Sequence, residues 1–445
     1  MTFRRKIIRA AIARNNRREM RLSLGQDIEV SIEKPAAGGR MIARHEGQVV
    51  LVAGAIPGEV VVARIERVEK RLAFAETARI LSPSPDRREP AGDPLCGGCG
   101  FAHIEYPRQV VLKAQIIDDA FRRLGRIPLE NAVAVAASPE AGYRMRARLH
   151  VRDGIAGFFR EGTHQICDVR ATRQLMPESI AAIEAALAPL DAAGMEVTSI
   201  ELSENVAGDL RALHAEIAGP QSEWAAALTA AVSAARLTGL TVRTDAGAFH
   251  SAGHPRVTDP LALLTRGRAS SGDLRRGPTA FFQSNRFLIA DLVVAVLDAI
   301  PSDGSVLDLY AGVGLFAVSL AASGRERVTA VEGDRISGVD LRENAAPYGS
   351  ALSAIVGRVE DHLAGSGAAP ETILLDPPRT GVSREAMDAI ARRGARRIVY
   401  VSCDPATMAR DARRLLDTGY RVTSLRGFDL FPNTPHVEVL GVFDA

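Results

Sequence analysis

Cys403 is the side chain best placed for covalent chemistry. Ser402-Cys403-Asp404-Pro405 follows the apolar run Arg397-Ile398-Val399-Tyr400-Val401, which reads as a buried strand. Open α/β sheets gather their active sites at the carboxyl ends of strands, so a cysteine there is a candidate nucleophile. The alternative is a small apolar residue filling a buried site. Further on, Asp429-Leu430-Phe431-Pro432-Asn433-Thr434-Pro435-His436-Val437-Glu438 brings an acid and an imidazole onto the last strand, Val437–Val442. A thiolate that adds to carbon 6 of a pyrimidine makes carbon 5 nucleophilic, and a base must then remove the carbon 5 proton. Glu438 is the candidate base, against a structural or ion-paired role, and His436 is read as structural.

A second group of residues points to a nucleotide-like cofactor. Val306-Leu307-Asp308-Leu309-Tyr310-Ala311-Gly312-Val313-Gly314-Leu315-Phe316 makes a strand, a glycine turn through Gly312 and Gly314, and a helix. Asp308 stands four residues before the first glycine, at the mouth of the turn, where a carboxylate would repel a pyrophosphate. A cationic sulfonium has no such conflict. Glu332 ends the next strand, 24 residues after Asp308, where it can accept bonds from both ribose hydroxyls. These features favour S-adenosylmethionine; a nicotinamide dinucleotide and a purely structural turn are the alternatives. Asp376-Pro377-Pro378-Arg379 ends a further strand in a rigid extended loop. In methyltransferases this loop borders the methyl group and its target. Arg379 replaces the aromatic of the amino-group methylators, and no cysteine follows the prolines as it does in RNA cytosine-5 methylators. In Phe281-Phe282-Gln283-Ser284-Asn285, the amides of Gln283 and Asn285 can reach cofactor or base, and both Phe residues are expected in the core.

Three segments must position these groups. From about 275 to 445, helices and strands alternate: helices from Asn285, Leu315 and Arg335; strands at Ser305–Leu309, Val328–Val331, Thr372–Leu375, Arg397–Val401 and Val437–Val442. That rhythm predicts an α/β fold with a mostly parallel, doubly wound, Rossmann-like sheet. Residues 22–82 carry short strands at Ile28–Ile32, Val49–Val52 and Glu59–Ile65, with turns at Gly38-Gly39 and Pro57-Gly58, and suit an OB-like β-barrel. Pro83, Pro85, Pro90 and Pro94 mark a linker. Residues 95–265 read as a mixed α+β central domain, with a helix over Pro107–Leu124, strands at Arg146–Val151 and Gly157–Phe159, and Ala-rich helices at Ala181–Leu190 and Trp224–Leu237.

Composition bounds the setting. With 445 residues, two or three domains are expected. No apolar run reaches membrane-spanning length, so no membrane role is expected. Residues 1–90 hold 18 Lys/Arg against 11 Asp/Glu, a net of +7, while the whole chain carries +2. A basic amino-terminal module suggests a polyanionic partner. The basic tail 1–21 reads as a solvated extension, an RNA-touching arm or a presequence. Four cysteines at irregular spacing fit a reduced cytoplasm better than a disulfide framework.

In their order along the chain, these motifs resemble the RNA uracil-5 methyltransferases, which make 5-methyluridine in ribosomal and transfer RNA. The segment Ile56-Pro57-Gly58-Glu59-Val60 resembles the amino-terminal TRAM domain, an RNA-binding barrel, and Tyr143-Arg144-Met145-Arg146-Ala147-Arg148 a stretch that faces RNA. The resemblance implies that Gln283, Tyr310, Glu332 and Asp376 contact S-adenosylmethionine, that Cys403 is the nucleophile and that Glu438 is the base. Arg144, Arg146 and Arg148 alternate and line one face of an RNA channel, or are surface charge on a solvated strand. The partner is RNA, ribosomal rather than transfer RNA, and the protein is expected to act as a monomer. Two rival readings remain: a transfer-RNA substrate or a different nucleobase, and a non-catalytic RNA-binding scaffold.

One departure from the family pattern concerns metal. Many ribosomal-RNA members hold an iron-sulfur cluster with C-x5-C-x2-C and a later cysteine. Cys96 and Cys99 match the middle pair, but Pro90 stands at the first ligand position and Thr172 at the last, with Cys167 five residues early. Three thiolates fall short of the four such clusters take. The cluster is expected to have been lost; a shifted cluster using Cys167 with a non-cysteine ligand, or a zinc site, are the alternatives.

Overall fold

The computed structural model describes residues 22–36, 38–90, 96–160, 163–218, 224–365 and 368–445. The basic tail 1–21 and Pro94 of the expected linker lie outside the described residues. The chain divides into two compact units, an amino-terminal one ending at Pro85 and a larger one running from Asp86 to Ala445.

The first unit is a closed five-stranded barrel of β1 (Asp27–Pro35), β2 (Met41–His45), β3 (Gln48–Ala53), β4 (Val60–Val68) and β5 (Leu72–Ser82), in the order β1-β2-β3-β5-β4. Alternation builds it: Ile28, Val30 and Ile32 face inward while Asp27, Glu29 and Ser31 face out. Glu59 is fully buried, and its carboxylate accepts the amides of Ile56 (2.8 Å) and Ser84 (3.0 Å), which closes the Pro57-Gly58 turn.

In the larger unit, β6 (Ala134–Ala136) precedes a seven-stranded sheet of β7 (Arg146–Arg152), β8 (Ile155–Phe159), β9 (Ile166–Asp168), β10 (Glu196–Glu204), β11 (Arg211–Ala218), β12 (Gly239–Thr244) and β13 (Phe249–Gly253). Its order is β13-β12-β11-β10-β7-β8-β9. The helices Pro177–Ala192 and Trp224–Ala234 bury Leu187, Leu190 and Leu228 against Leu149, Ile200, Leu213 and Val242, one face of that sheet. A hairpin of β14 (Val257–Pro260) and β15 (Asp273–Arg276) leads to the catalytic sheet.

That sheet has eight strands. β16 (Val306–Leu309), β17 (Val328–Glu332), β18 (Leu352–Val356), β19 (Thr372–Leu375), β20 (Arg397–Ser402), β21 (Arg421–Phe428) and β22 (Glu438–Asp444) join β6 in the order β18-β17-β16-β19-β20-β22-β21-β6. The first five in that order are parallel, and β22 is antiparallel to both its neighbours. Apolar residues alternate between two cores, one under the helices Ile289–Ala299 and Leu315–Ala322, the other under Arg384–Arg393 and Pro405–Asp417. This is the doubly wound arrangement that the alternating pattern predicts.

Three strands of this sheet depart from expectation. β6 has three residues, β18 is a half-exposed edge, and β21 is exposed along most of its length, so none carries a strong apolar run. β6 lies within the segment grouped with the central domain, yet pairs with β21 of the catalytic sheet. The helix expected from Asn285 starts at Ile289, because the Asn285 side chain accepts the amides of Phe287 (2.9 Å) and Leu288 (3.1 Å) and ends the preceding extended segment. Among the described residues no helix is long and apolar enough to cross a membrane.

Candidate active site

Sheet register assembles the site. Leu309 lies opposite both Val331 and Leu375, so the next residues, Tyr310, Glu332 and Asp376, leave three adjacent parallel strands at one level. Leu375 pairs with Tyr400, and Ser402 pairs with Val439 of the antiparallel β22. Cys403 therefore leaves its strand beside the residue where β22 begins, Glu438. Because β22 is antiparallel, its first residue lies at the carboxyl edge of the sheet, with the nucleophile and the cofactor carboxylates.

The cofactor side is acidic. Asp308 is fully buried, and among the described residues neither of its oxygens has a hydrogen-bond partner of ordinary geometry. Burial, then the nearby Asp376, push its carboxyl well above the usual carboxylate range. Burial likewise raises Asp376 to about 7, although Gln283 Nε2 donates to it at 3.2 Å. Glu332 is also raised by burial, while its two oxygens accept the amides of Gly312 (2.7 Å) and Asp334 (2.6 Å). No cation is among the groups that shift these three carboxyls.

That donor set fits S-adenosylmethionine. Clustered acids without a cation suit a ligand that brings its own positive charge, and Glu332 has lone pairs left for ribose hydroxyls. The turn supplies the cradle. Gly312 has φ +58°, and a side chain there would meet nothing nearer than the Phe281 carbonyl at 4.0 Å, so the space above it is open. Gly314 has φ +95° and would drive a Cβ to 2.7 Å from Val318 and 2.9 Å from Leu341, so it serves packing of the turn. Tyr310 takes a left-handed φ of +64°, which turns its half-buried ring out of the strand.

On the reacting side, burial favours the protonated forms of both groups. Cys403 is half-buried, and burial, then the charge of Glu438, push its thiol up to about 12. The Arg379 guanidinium opposes this by charge and by a hydrogen bond to the sulfur. Glu438 is 2% exposed, its Oε1 has no partner, and burial, then Asp376, raise it well above the usual range. His436 is pushed down to about 4 by burial and by Arg379, Lys113 and Arg144, so it is neutral at pH 7, with its ring edge-on to Phe431 at 6.1 Å.

Other expected residues fall elsewhere. Asn285 is buried and donates to Ser138 Oγ (2.9 Å) and the Leu430 carbonyl (3.1 Å), away from the cofactor carboxylates. Phe282 is core, but Phe281 is 56% exposed because the extended chain turns alternate residues outward. Arg144 precedes β7 and is held by the Arg146 carbonyl (2.9 Å) and Gln174 (2.7 Å) against the Phe158 and Phe431 rings. Arg146, which donates to the Ala280 carbonyl (3.0 Å), and the exposed Arg148 share one face of β7, while Arg144 lies outside the strand, so the three do not form one row.

Cys96, Cys99 and Cys167 gather in one buried cluster with Ala102. Thr172 is buried and donates its hydroxyl to the Val169 carbonyl (2.7 Å). Cys99 and Thr172 line a cavity of about 150 Å³ with Arg88, Glu140 and Asn433. Among the described residues no group of three or more His, Cys, Asp or Glu is arranged to hold a metal ion. This donor set does not fit a four-iron cluster.

Sequence reading missed the frame of the Glu438 loop. Lys113 and Asp429 form an ion pair with both side chains fully buried, and Lys113 also donates to the Phe431 carbonyl (3.0 Å). Gln109 exchanges bonds with Asn433, whose φ is +63°. The one available signal was a lysine on the apolar face of a helix.

Known proteins resemble this chain over nearly its whole length. The model of the tRNA (uracil-5-)-methyltransferase family matches residues 362–444, and that of the TRAM domain residues 21–78. A 23S rRNA (uracil(1939)-C(5))-methyltransferase of Pseudomonas putida is 32% identical over 96% of this chain and 96% of its own length. An uncharacterized RNA methyltransferase of Streptomyces coelicolor is 34% identical over 95% of this chain and 93% of its own. The crystal structure of a Pyrococcus abyssi tRNA (uracil-54, C5)-methyltransferase with S-adenosyl-L-homocysteine shares the fold, with a TM-score of 0.72 at 23% identity, over 94% of this chain and 100% of that one.

Proposed function

We propose a specific reaction for this chain, which belongs to the RNA uracil-C5 methyltransferase family and methylates carbon 5 of uracil in RNA at the expense of S-adenosylmethionine. The substrate is a uridine in ribosomal RNA, the nucleophile is Cys403 and the base is Glu438. The observation that carries this reading is the register of β20 and β22, which brings Cys403 and Glu438 together at the edge that also holds the acidic cofactor cradle. The ribosomal substrate is supported by full-length relatives above 30% identity named as 23S rRNA enzymes.

S-adenosylmethionine supplies an electrophilic methyl group on a positively charged sulfur; Gln283, Glu332 and Asp376 are the residues that would hold it. The target uridine leaves its stack to reach Cys403, at a cost of a few kcal/mol. Cys403 gives its proton to solvent beside Arg379, and Sγ adds to carbon 6, so that carbon 5 becomes the nucleophile for methylation. The Glu438 carboxylate then takes the carbon 5 proton, and the Sγ–carbon 6 bond breaks to restore the ring and the cysteine. Arg379, drawn to Glu438 and Cys403, is the cation that favours the charged form of both.

Two measurements test this. Ribosomal RNA carrying 5-fluorouridine at the target should trap a covalent adduct with the wild-type protein, since fluorine cannot leave as a proton. The adduct should be absent with Cys403→Ala. With Glu438→Gln and ordinary RNA, turnover should fall about 10²–10⁴-fold. Methyl transfer to transfer RNA alone would overturn the ribosomal assignment; a Cys403→Ala variant that still methylates would overturn the mechanism.

A further inference from the structure

We propose that the outer end of β7, with β8 beside it, forms a stacking subsite for the RNA that flanks the target uridine. This rests on the reading of the chain as an RNA uridine methyltransferase. The helices cover one face of the central sheet and take Ala147, Leu149 and Val151 from β7. Alternation leaves Arg146, Arg148, His150 and Arg152 on the other face. His150 pairs with Gly157 across β8, so Phe159, two residues on, returns to that same face opposite Arg148. There His150 and Phe159 stack, with ring centroids 3.6 Å apart and planes within 6°.

Two arginines and a histidine surround the stack. Arg152 is exposed, and its guanidinium lies 6.0 Å from the Phe159 centroid; the exposed His164 meets the same ring edge-on at 5.3 Å. Arg148 is 59% exposed and reaches Glu201 only at 3.8 Å. After burial, the charges of Arg148, His164 and Arg152 act together to hold the His150 imidazole below its ordinary value, which marks a locally positive field. Paired aromatic faces ringed by guanidinium groups match the two chemistries of a nucleic acid strand, a π-stacked base and a phosphate.

The strip also has direction. Arg146, at its inner end, donates to the Ala280 carbonyl, three residues before Gln283. Six residues of strand carry the face outward by about 20 Å. Nucleotides leaving the catalytic edge along β7 would pass Arg148 and reach the His150–Phe159 stack. The far side of the same sheet face is charge-balanced, with Glu216 paired to Arg243 (2.6 Å), so the positive path follows β7 and β8.

The test uses the full chain with unmodified ribosomal RNA transcribed in vitro. Phe159→Leu keeps apolar volume but removes the π-face, and Phe159→Trp keeps both. The Leu variant should raise KM for RNA roughly 5- to 150-fold, and the Trp variant should stay near wild type. Arg152→Gln, at an exposed position, should lower the slope of log affinity against log salt by about one. Affinity is also read by filter retention, which needs no methyl transfer. A protein that retains RNA through Phe159 without methylating it supports the subsite and sinks the catalytic reading. Unchanged RNA affinity and salt slope in Phe159→Leu and Arg152→Gln, with the Cys403 adduct still formed, overturn the subsite alone.

Discussion

Cofactor binding should depend on pH through Asp376, and the sign follows from its burial. Its carboxyl is raised to about 7 in the free protein, chiefly by burial. Below that value it is protonated and neutral; above it, it is the anion that attracts a cationic ligand. If binding requires the anion, about a tenth of the protein is competent at pH 6 and about nine tenths at pH 8, so affinity for S-adenosylmethionine should rise roughly tenfold across that interval. That is about 1.4 kcal/mol. Isothermal titration of S-adenosylmethionine at pH 6, 7 and 8 measures it, with release of protons to the buffer read from the same data. Asp376→Asn should bind weakly and lose most of the slope. A flat wild-type profile, or an Asn variant with the full slope, would refute the assignment of this carboxyl to the cofactor.

Three further outcomes are expected. Asp308→Asn should raise the melting temperature of the free protein most at neutral pH: an acid whose folded pKa is raised destabilises the fold as pH climbs from its unfolded value, about 3.9, towards the folded one, and Asn removes that loss. A melting temperature equally shifted at pH 4 and pH 7 would refute it. Gly314→Ala combines a φ of +95° with a Cβ 2.7 Å from Val318, and should cost about 1–3 kcal/mol in denaturant unfolding, more than Gly312→Ala, which meets open space. Lys113→Met leaves Asp429 buried and unpaired and should cost about 3–5 kcal/mol, with much of the loss restored by adding Asp429→Leu; no recovery in the double variant would show that the pair is not the cause.

What the sequence made legible depended on locality. Cys403, Glu332 and Asp376 each follow an apolar run closely, and parallel strands place the residues that follow them together, so strand ends were enough to find them. Glu438 was legible for the opposite reason, since it opens a strand that runs antiparallel. Arg144 misled because alternation was extended beyond the strand: β7 begins at Arg146, and Arg144 instead bridges to Asn285. The Lys113–Asp429 pair was not legible, because its partners are 316 residues apart and Lys113, unlike Asp429, lies in no motif. β6 was too short for its period to be read, and its place in the sheet is set by tertiary pairing with β21.

The charges at the two halves of the site are coupled, and this bears on when Cys403 can react. Asp376 raises both Glu438 and Cys403, whereas Arg379 lowers both. An ionised Asp376 without a cation beside it therefore keeps the thiol protonated, and a positively charged ligand that neutralises it should ease thiolate formation. Asp376→Asn, compared in a Glu438→Gln background so that Glu438 cannot ionise in response, isolates this effect without the ligand's bulk. At pH 8, where the wild-type carboxyl is mostly ionised, the Asn variant should alkylate faster at Cys403 with iodoacetamide; at pH 6, where it is mostly protonated, the two should agree. Lower thiol pKa also lowers intrinsic nucleophilicity, which cancels about half of the gain in thiolate. Mass mapping separates Cys403 from Cys96, Cys99 and Cys167, all of which are buried. Equal rates at pH 8 would mean that Asp376 does not act on the thiol, and that arrival of the cofactor leaves the nucleophile's proton untouched.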